Sequence, residues 1–219
     1  MRRSHVPAIL LLCASCLNIG DANTGIILNV DLNVSGGAFS SGAADFPAAQ
    51  AATVGAVGDF RLLPSSLATN VKGLYLSGTT VGGDLFLFHK MRFTGLVPNT
   101  TYQGKISVGY ITDYHSGCTA GPGPLTFIKA GVSATEPLPV TDAQGMVRMN
   151  IDKGTGVSKG LYTQGGDIRN GLPLCPAVGT FADRSTLAYD QATPIVTDAN
   201  GGIWIFVGTQ SSFAGAHQI

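Results

Sequence analysis

Leu85-Phe86-Leu87-Phe88-His89-Lys90-Met91-Arg92-Phe93-Thr94 is the stretch that decides the fold. Leu85, Leu87, Met91 and Phe93 share one parity with His89, while Phe86 and Phe88 share the other with Lys90, Arg92 and Thr94. Successive side chains of an extended chain point to opposite faces, so this run reads as a strand with large apolar residues on both sides. Gly95-Leu96-Val97-Pro98-Asn99 then makes a turn. Beyond it Tyr102, Ile106, Val108 and Tyr110 share a face, against Gln103, Lys105 and Ser107. Two alternating runs joined by a short turn predict a hairpin.

The same reading extends along the chain. Leu28, Val30, Leu32 and Val34 alternate with Asn29, Asp31, Asn33 and Ser35, and Val147, Met149 and Ile151 with Arg148, Asn150 and Asp152. Residues 73–77 and 127–132 read as further strands. After the Asn200-Gly201-Gly202 turn, residues 203–207 lack polar alternation, which predicts a strand buried on both sides. Residues 35–53, 113–124 and 153–186 are rich in Gly, Pro, Ser or Thr and read as loops. No helix longer than two turns, no fixed repeat and no linker is evident. The expected fold is all-β, a single jelly-roll-like antiparallel β-sandwich with long Gly-rich loops.

Composition agrees. Charged residues make up 12% of the chain, and there are 30 Gly and 11 Pro. Many turns and few charges suit β architecture. The 13 basic and 13 acidic residues cancel, and no basic stripe is visible, which argues against nucleic acid as a partner.

The N-terminus reads as an export signal. Arg2 and Arg3 precede an apolar run at residues 6–13, and the small residues Ala14 and Ser15 follow. The run falls well short of the roughly 20 residues of a membrane span, and no later segment predicts a transmembrane helix. Two processing points fit. Cleavage after Ala22 gives a signal over residues 1–22 and a β-sandwich domain over 23–219. Cleavage before Cys16 gives a lipoprotein whose Cys16 carries the lipid tether, although Cys13 stands where Leu is usual. The expected location is extracytoplasmic: secreted, periplasmic or lipid-anchored. Cys118 and Cys175, the two Cys beyond the signal region, then read as a disulfide.

Several stretches resemble a family of uncharacterised bacterial exported proteins and lipoproteins. They are Gly83-Asp84-Leu85-Phe86-Leu87-Phe88, Gly95-Leu96-Val97-Pro98-Asn99-Thr100-Thr101-Tyr102, Lys129-Ala130-Gly131 with Glu136-Pro137, Asn150-Ile151-Asp152-Lys153-Gly154, and Trp204-Ile205-Phe206-Val207-Gly208-Thr209. The resemblance implies bacterial origin and export, without a defined activity. Two departures stand out. Val81-Gly82-Gly83-Asp84 keeps one acid where the family pairs two aspartates, and residues 210–215 lack both acids of the family's last segment.

Candidate chemistry is sparse. Asp84, Asp152 and Asp167 sit at strand ends or in Gly-rich loops, where carboxylates can hold calcium or cap turns through their own backbone. His89, His115 and His217 lack partners at metal-ligand spacing, and His89 reads as a hydrogen-bonded, semi-buried side chain. Asp113, His115 and Ser116 share a loop, but neighbours in a loop seldom form a triad, and no Gly-x-Ser-x-Gly elbow exists. Gly154-Thr155-Gly156-Val157-Ser158-Lys159-Gly160 lacks phosphate-loop spacing. Trp204, in an apolar strand, reads as core, whereas Tyr110, Tyr114 and Tyr162 are placed for a surface ligand contact. The leading expectation is a non-catalytic module that binds a ligand, with a glycan as one class. A hydrolase using loop carboxylates and a structural or adhesion module are the alternatives.

Overall fold

The computed structural model describes residues 17–21, 24–28, 38–67, 70–154, 163–185, 189–190 and 193–219. Strands follow one another almost without helix. They are β1 (Leu17–Asp21), β2 (Thr24–Leu28), β3 (Ser40–Ala44), β4 (Phe46–Pro47), β5 (Val57–Leu62), β6 (Lys72–Thr79), β7 (Leu85–Phe93), β8 (Thr101–Tyr102), β9 (Lys105–Ile106) and β10 (Gly109–Thr112). After them come β11 (Thr126–Ser133), β12 (Pro139–Thr141), β13 (Met146–Met149), β14 (Thr163–Asp167), β15 (Ala182–Ser185), β16 (Tyr189–Asp190), β17 (Ile195–Val196), β18 (Ile203–Ser211) and β19 (Ala216–Gln218). Two single-turn helices, α1 (Ala51–Val54) and α2 (Pro122–Leu125), interrupt them.

The fold is all-β and antiparallel, a jelly-roll-like sandwich. Its central sheet has the order β14-β11-β18-β7-β3. β18 lies in the middle and pairs β7 from Ile203↔Phe93 to Ser211↔Leu85, and β11 from Thr126↔Ser211 to Ser133↔Trp204. Directly opposed residues share a face. One face therefore carries Ile128, Val207 and His89, the other Phe206, Phe88 and Phe86. This explains why residues 203–207 show no polar alternation: the strand is covered on both sides.

The first face, called the inner face here, packs Ile128, Ala130, Val132, Ile205 and Val207 against Leu74 of β6 and against Ile106, Val108, Tyr110 and Ile111. The outer face packs Phe86, Phe88 and Phe206 under Val147, Met149 and Ile151. Phe86 and Phe88 stack with centroids 5.3 Å apart, and Phe206 meets Phe86 edge-on at 6.5 Å. A smaller cluster of Phe46, Val54, Leu76, Leu85 and Leu87 joins the layers at one end.

The expected hairpin between the runs at 85–94 and 101–110 does not form. β7 pairs with β18 and β3 instead. Residues 101–112 break into β8, β9 and β10, which pair with β17, β16 and β15. The turn after β7 lifts the chain onto the opposite layer, with Gly95 at φ 103° and Asn99 at φ 51°, both in the left-handed region. Tyr102, Ile106 and Val108 are buried, as their alternation predicts. The stretch at 153–186, read as loop, contains β14 and β15, and 35–53 contains β3, β4 and most of α1. Most of the alternating run at 28–35 lies outside the described residues.

One buried base makes the fold acid-sensitive. His217 on β19 is 3% exposed, and neither ring nitrogen has a hydrogen-bond partner among the described residues. Burial pushes its pKa down to about 4; the Gly215 backbone opposes this without reaching full hydrogen-bonding geometry. The unfolded chain protonates this ring below about pH 6.5, the folded chain below about 4. The unfolded state thus holds more protons in that window, and stability falls as pH drops through it. The loss from this residue is about 3 kcal/mol. Urea midpoints at pH 7 and pH 4.5 are expected to differ less in His217→Leu than in the parent; an equal difference contradicts the assignment.

Candidate functional site: a cavity between the layers

The inner face does not close completely. A cavity of about 330 Å³ lies between β6, β10 and the central sheet, a size typical of small-molecule sites. Its walls are aliphatic and aromatic: Leu74, Val108, Ile111, Ile128, Val207 and the ring of Tyr110. Gly73 and Gly109 add no side chain to these walls. Arg61, exposed Leu62, Asp113 and Gln218 also line it. Arg61 stacks on the Tyr75 ring, whose hydroxyl donates to Gln218 Oε1 at 2.8 Å.

Two polar residues, His89 of β7 and Thr209 of β18, line the cavity from the central sheet. They are 3% and 1% exposed. His89 Nε2 lies 3.0 Å from the Tyr75 carbonyl, and Phe39 meets the ring edge-on. Burial lowers the His89 pKa, against smaller pulls from the Tyr75 carbonyl and Asp59, so the ring is neutral near pH 7. His89 Nδ1 and Thr209 Oγ1 have no hydrogen-bond partner among the described residues.

The aspartates expected as weak metal candidates are not brought together. Asp84 precedes β7, Asp152 Oδ1 accepts from the Gly154 backbone N–H at 3.1 Å, and Asp167 ends β14. Burial acts to raise the Asp167 pKa, but hydrogen bonds and charge from Arg169, at 2.8 Å, outweigh it and hold the carboxyl low. Among the described residues no three His, Cys, Asp or Glu side chains gather as a metal would need. Asp152 and Asp167 thus do what Asp most often does in loops.

The Asp113, His115, Ser116 loop is tied into structure. His115 Nε2 accepts from the Thr180 N–H at 2.9 Å, which leaves Nδ1 to donate to the Leu174 carbonyl at 3.1 Å. Ser116 Oγ accepts from the Gly171 N–H at 2.7 Å. With both nitrogens committed, His115 is no free base. Cys118 and Cys175 form a disulfide beside these bonds, as the sequence predicts.

Tyr110 differs from its sequence reading as a surface residue. It is buried, with its hydroxyl donating to the Asp167 carbonyl at 3.2 Å and its ring on the cavity. Tyr114 is half-buried, and its hydroxyl accepts from the Gln218 N–H at 3.4 Å. The exposure of a strand end such as Tyr110 depends on the loop that covers it, which local sequence does not report. Tyr162 and Cys16 lie outside the described residues, as do most of the Gly-rich loop at 154–160 and the greater part of the export signal. Trp204 is half-buried on the outer face, under Lys90 Nζ at 5.4 Å. The cavity itself had one legible signal: a histidine in phase with core residues on a central strand.

Among the described residues no helix is long and apolar enough to cross a membrane. No protein-family profile and no curated protein matches the chain. Among solved structures, the chain is similar to one described under carbohydrate-binding modules from the beta-sandwich super family, with a TM-score of 0.38 and 15% identity. The match covers 83% of this chain and 54% of that one, so this chain spans about half the length of its neighbour. A likeness at that level carries no argument about ligand.

Proposed function

We propose that this chain is an exported, non-catalytic ligand-binding β-sandwich whose site is the cavity on the inner face. The observation that carries this reading is a cavity of about 330 Å³ with largely apolar walls. Empty apolar space is costly in a core, because its lining loses contact on one side. A fold that retains such space is suited to filling it with a ligand.

A glycan is one ligand class that the sequence reading allows. At this cavity the walls favour a less polar molecule, since sugar hydroxyls buried against aliphatic side chains lose their hydrogen bonds to water. A glycan-binding role would require a surface platform elsewhere.

Export is supported by the N-terminal pattern and by the disulfide, which belongs to oxidising compartments. The pairing of β1 with β2 bears on processing. Cleavage after Ala22 would part the two strands, whereas cleavage before Cys16 would keep both.

Thermal unfolding tests the binding role. With 1-octanol as the probe, Tm is expected to rise with probe concentration in the parent, and less in Val108→Phe, which fills the cavity. Soluble glycans and calcium serve as comparison arms. A rise with glycans and none with octanol would move the site away from the cavity.

A further inference from the structure

Pro173-Leu174-Cys175-Pro176-Ala177-Val178 is a run of six consecutive exposed residues, and no side chain in it carries a charge or a hydrogen-bond donor. Leu174 and Val178 are the two most exposed large apolar side chains among the described residues. The charge-free stretch extends from Gly171 to Thr180. An exposed apolar run of this length is unfavourable on a water-facing surface unless something covers it.

The run is held out from the body and not left to fold back. Cys175 is bridged to Cys118. The Leu172 carbonyl accepts from the Gly117 N–H and the Leu174 carbonyl from His115, while the Thr180 N–H donates to the same imidazole. A Cβ on Gly117 would collide with the Pro173 carbonyl, so the two chains pass in direct contact. Pro173 and Pro176 fix φ within the run. An apolar loop tied in this way loses little conformational freedom when it is covered.

We propose that this loop docks the protein on a lipid surface, with Leu174 and Val178 entering the boundary between headgroups and acyl chains. Three features favour lipid over a protein partner. Protein interfaces draw most of their energy from Trp, Tyr and Arg seated in pockets, and the run has none of these. It also presents few polar groups to desolvate. Pro173 and Pro176 have no N–H, and the Leu174 carbonyl is already bonded to His115. Finally, its base adjoins the cavity. Gly179 lies against the Asp113 carbonyl, and Asp113 and Phe181 both line the cavity. A mainly apolar ligand, as proposed above for that cavity, is concentrated in membranes and scarce in water. This third feature rests on the cavity being the binding site; the first two stand without it.

The test uses the full chain and vesicles of phosphatidylcholine, which carry no net charge. In flotation, the parent is expected to partition about tenfold more strongly than the double variant Leu174→Ser, Val178→Ser. The apolar N-terminal residues are common to both proteins, so the difference reads the loop alone. Added salt should leave that difference unchanged, because no charge takes part. Val178→Trp gives a local reading and serves should the double variant fold poorly. Its fluorescence should be quenched by lipids brominated in their acyl chains, beyond any quenching of Trp204 in the parent. Equal partitioning of parent and double variant, or no added quenching, overturns the inference. So does a parent dimer that the double variant dissolves, since a second copy then covers the loop. Failure of 1-octanol to bind the parent removes the cavity reading alone, because vesicle partitioning is measured without it.

Discussion

Replacing Cys118 and Cys175 together by serine is expected to lower folding stability by about 4 kcal/mol. The bridge spans 57 residues, long enough for its loss to release substantial chain entropy in the unfolded state. The folded-state contacts beside it are local and polar. Gly117 N–H donates to the Leu172 carbonyl, His115 links Leu174 to Thr180, and Ser116 holds Gly171. Residues 171–180 contribute little core: Leu174 is 74% exposed and Val178 is 82% exposed. Apolar burial therefore cannot substitute for the bridge. For a chain of this length the expected fall in Tm is about 10 °C, read as the difference between oxidised parent and double serine variant. Asp113 and Phe181 lie next to this region and line the cavity, so probe binding should weaken as well. A change below about 1 kcal/mol would mean that the polar lacing alone fixes the loops.

The second large effect is expected on the outer face. Lys153 Nζ lies 2.6 Å from Asp45 Oδ2, and the two side chains are 5% and 10% exposed. Lys153 also donates to Gln210 Oε1 and sits 4.7 Å above the Phe86 ring. Arg148 approaches the other oxygen of Asp45 at 3.5 Å. Lys129, fully buried on the same face of the sheet as Gln210, has its pKa pushed down to about 8, by burial first and by Lys153 second. Asp45 is thus the anion that faces this cationic group. Asp45→Asn keeps a residue tolerant of the positive φ of 67° found there, but removes the charge. Leaving a buried ammonium uncompensated costs about 3 to 5 kcal/mol. The double variant Asp45→Asn, Lys153→Met should recover most of that loss, because both charges are then gone. Urea unfolding of the four proteins in this cycle reads the coupling directly. Additive effects would show that the pair does not interact in the folded state.

Much of the architecture was legible because period-two alternation is a local property. β7, β11, β13 and β18 stand where Leu85, Phe127, Val147 and Ile203 begin their runs. The buried character of β18 followed from its missing polar face. What failed was partner choice. A short turn after β7 suggests a hairpin, yet pairing is decided by which strand buries the most apolar area on both faces, and that strand is β18, over a hundred residues later. Gly-rich segments hid β3, β14 and β15, because Ser-Ser-Gly-Ala-Ala and Thr-Gln-Gly-Gly-Asp carry no apolar alternation. β3 and β14 become strands by adding to the edges of the central sheet, and β15 by pairing with β10.

The candidate site was hardly legible at all. Its walls come from β6, β10, β11 and β18, and no local pattern reports a gap between layers. Asp84, Asp152 and Asp167 drew notice for their chemistry, but two of them are engaged with their own loops. His89 reads as a hydrogen-bonded, semi-buried side chain; it is hydrogen-bonded and fully buried. Its orphaned second nitrogen emerged only with the register of β18 and the position of Tyr75.

The most direct measurement is a methyl-resolved NMR titration of the folded chain with 1-octanol. The account predicts saturable shifts confined to Val108, Ile111, Ile128 and Val207, with Leu174 and Val178 unmoved. Shifts confined to those exposed loop residues, or no saturable shift, would contradict the cavity as the binding site.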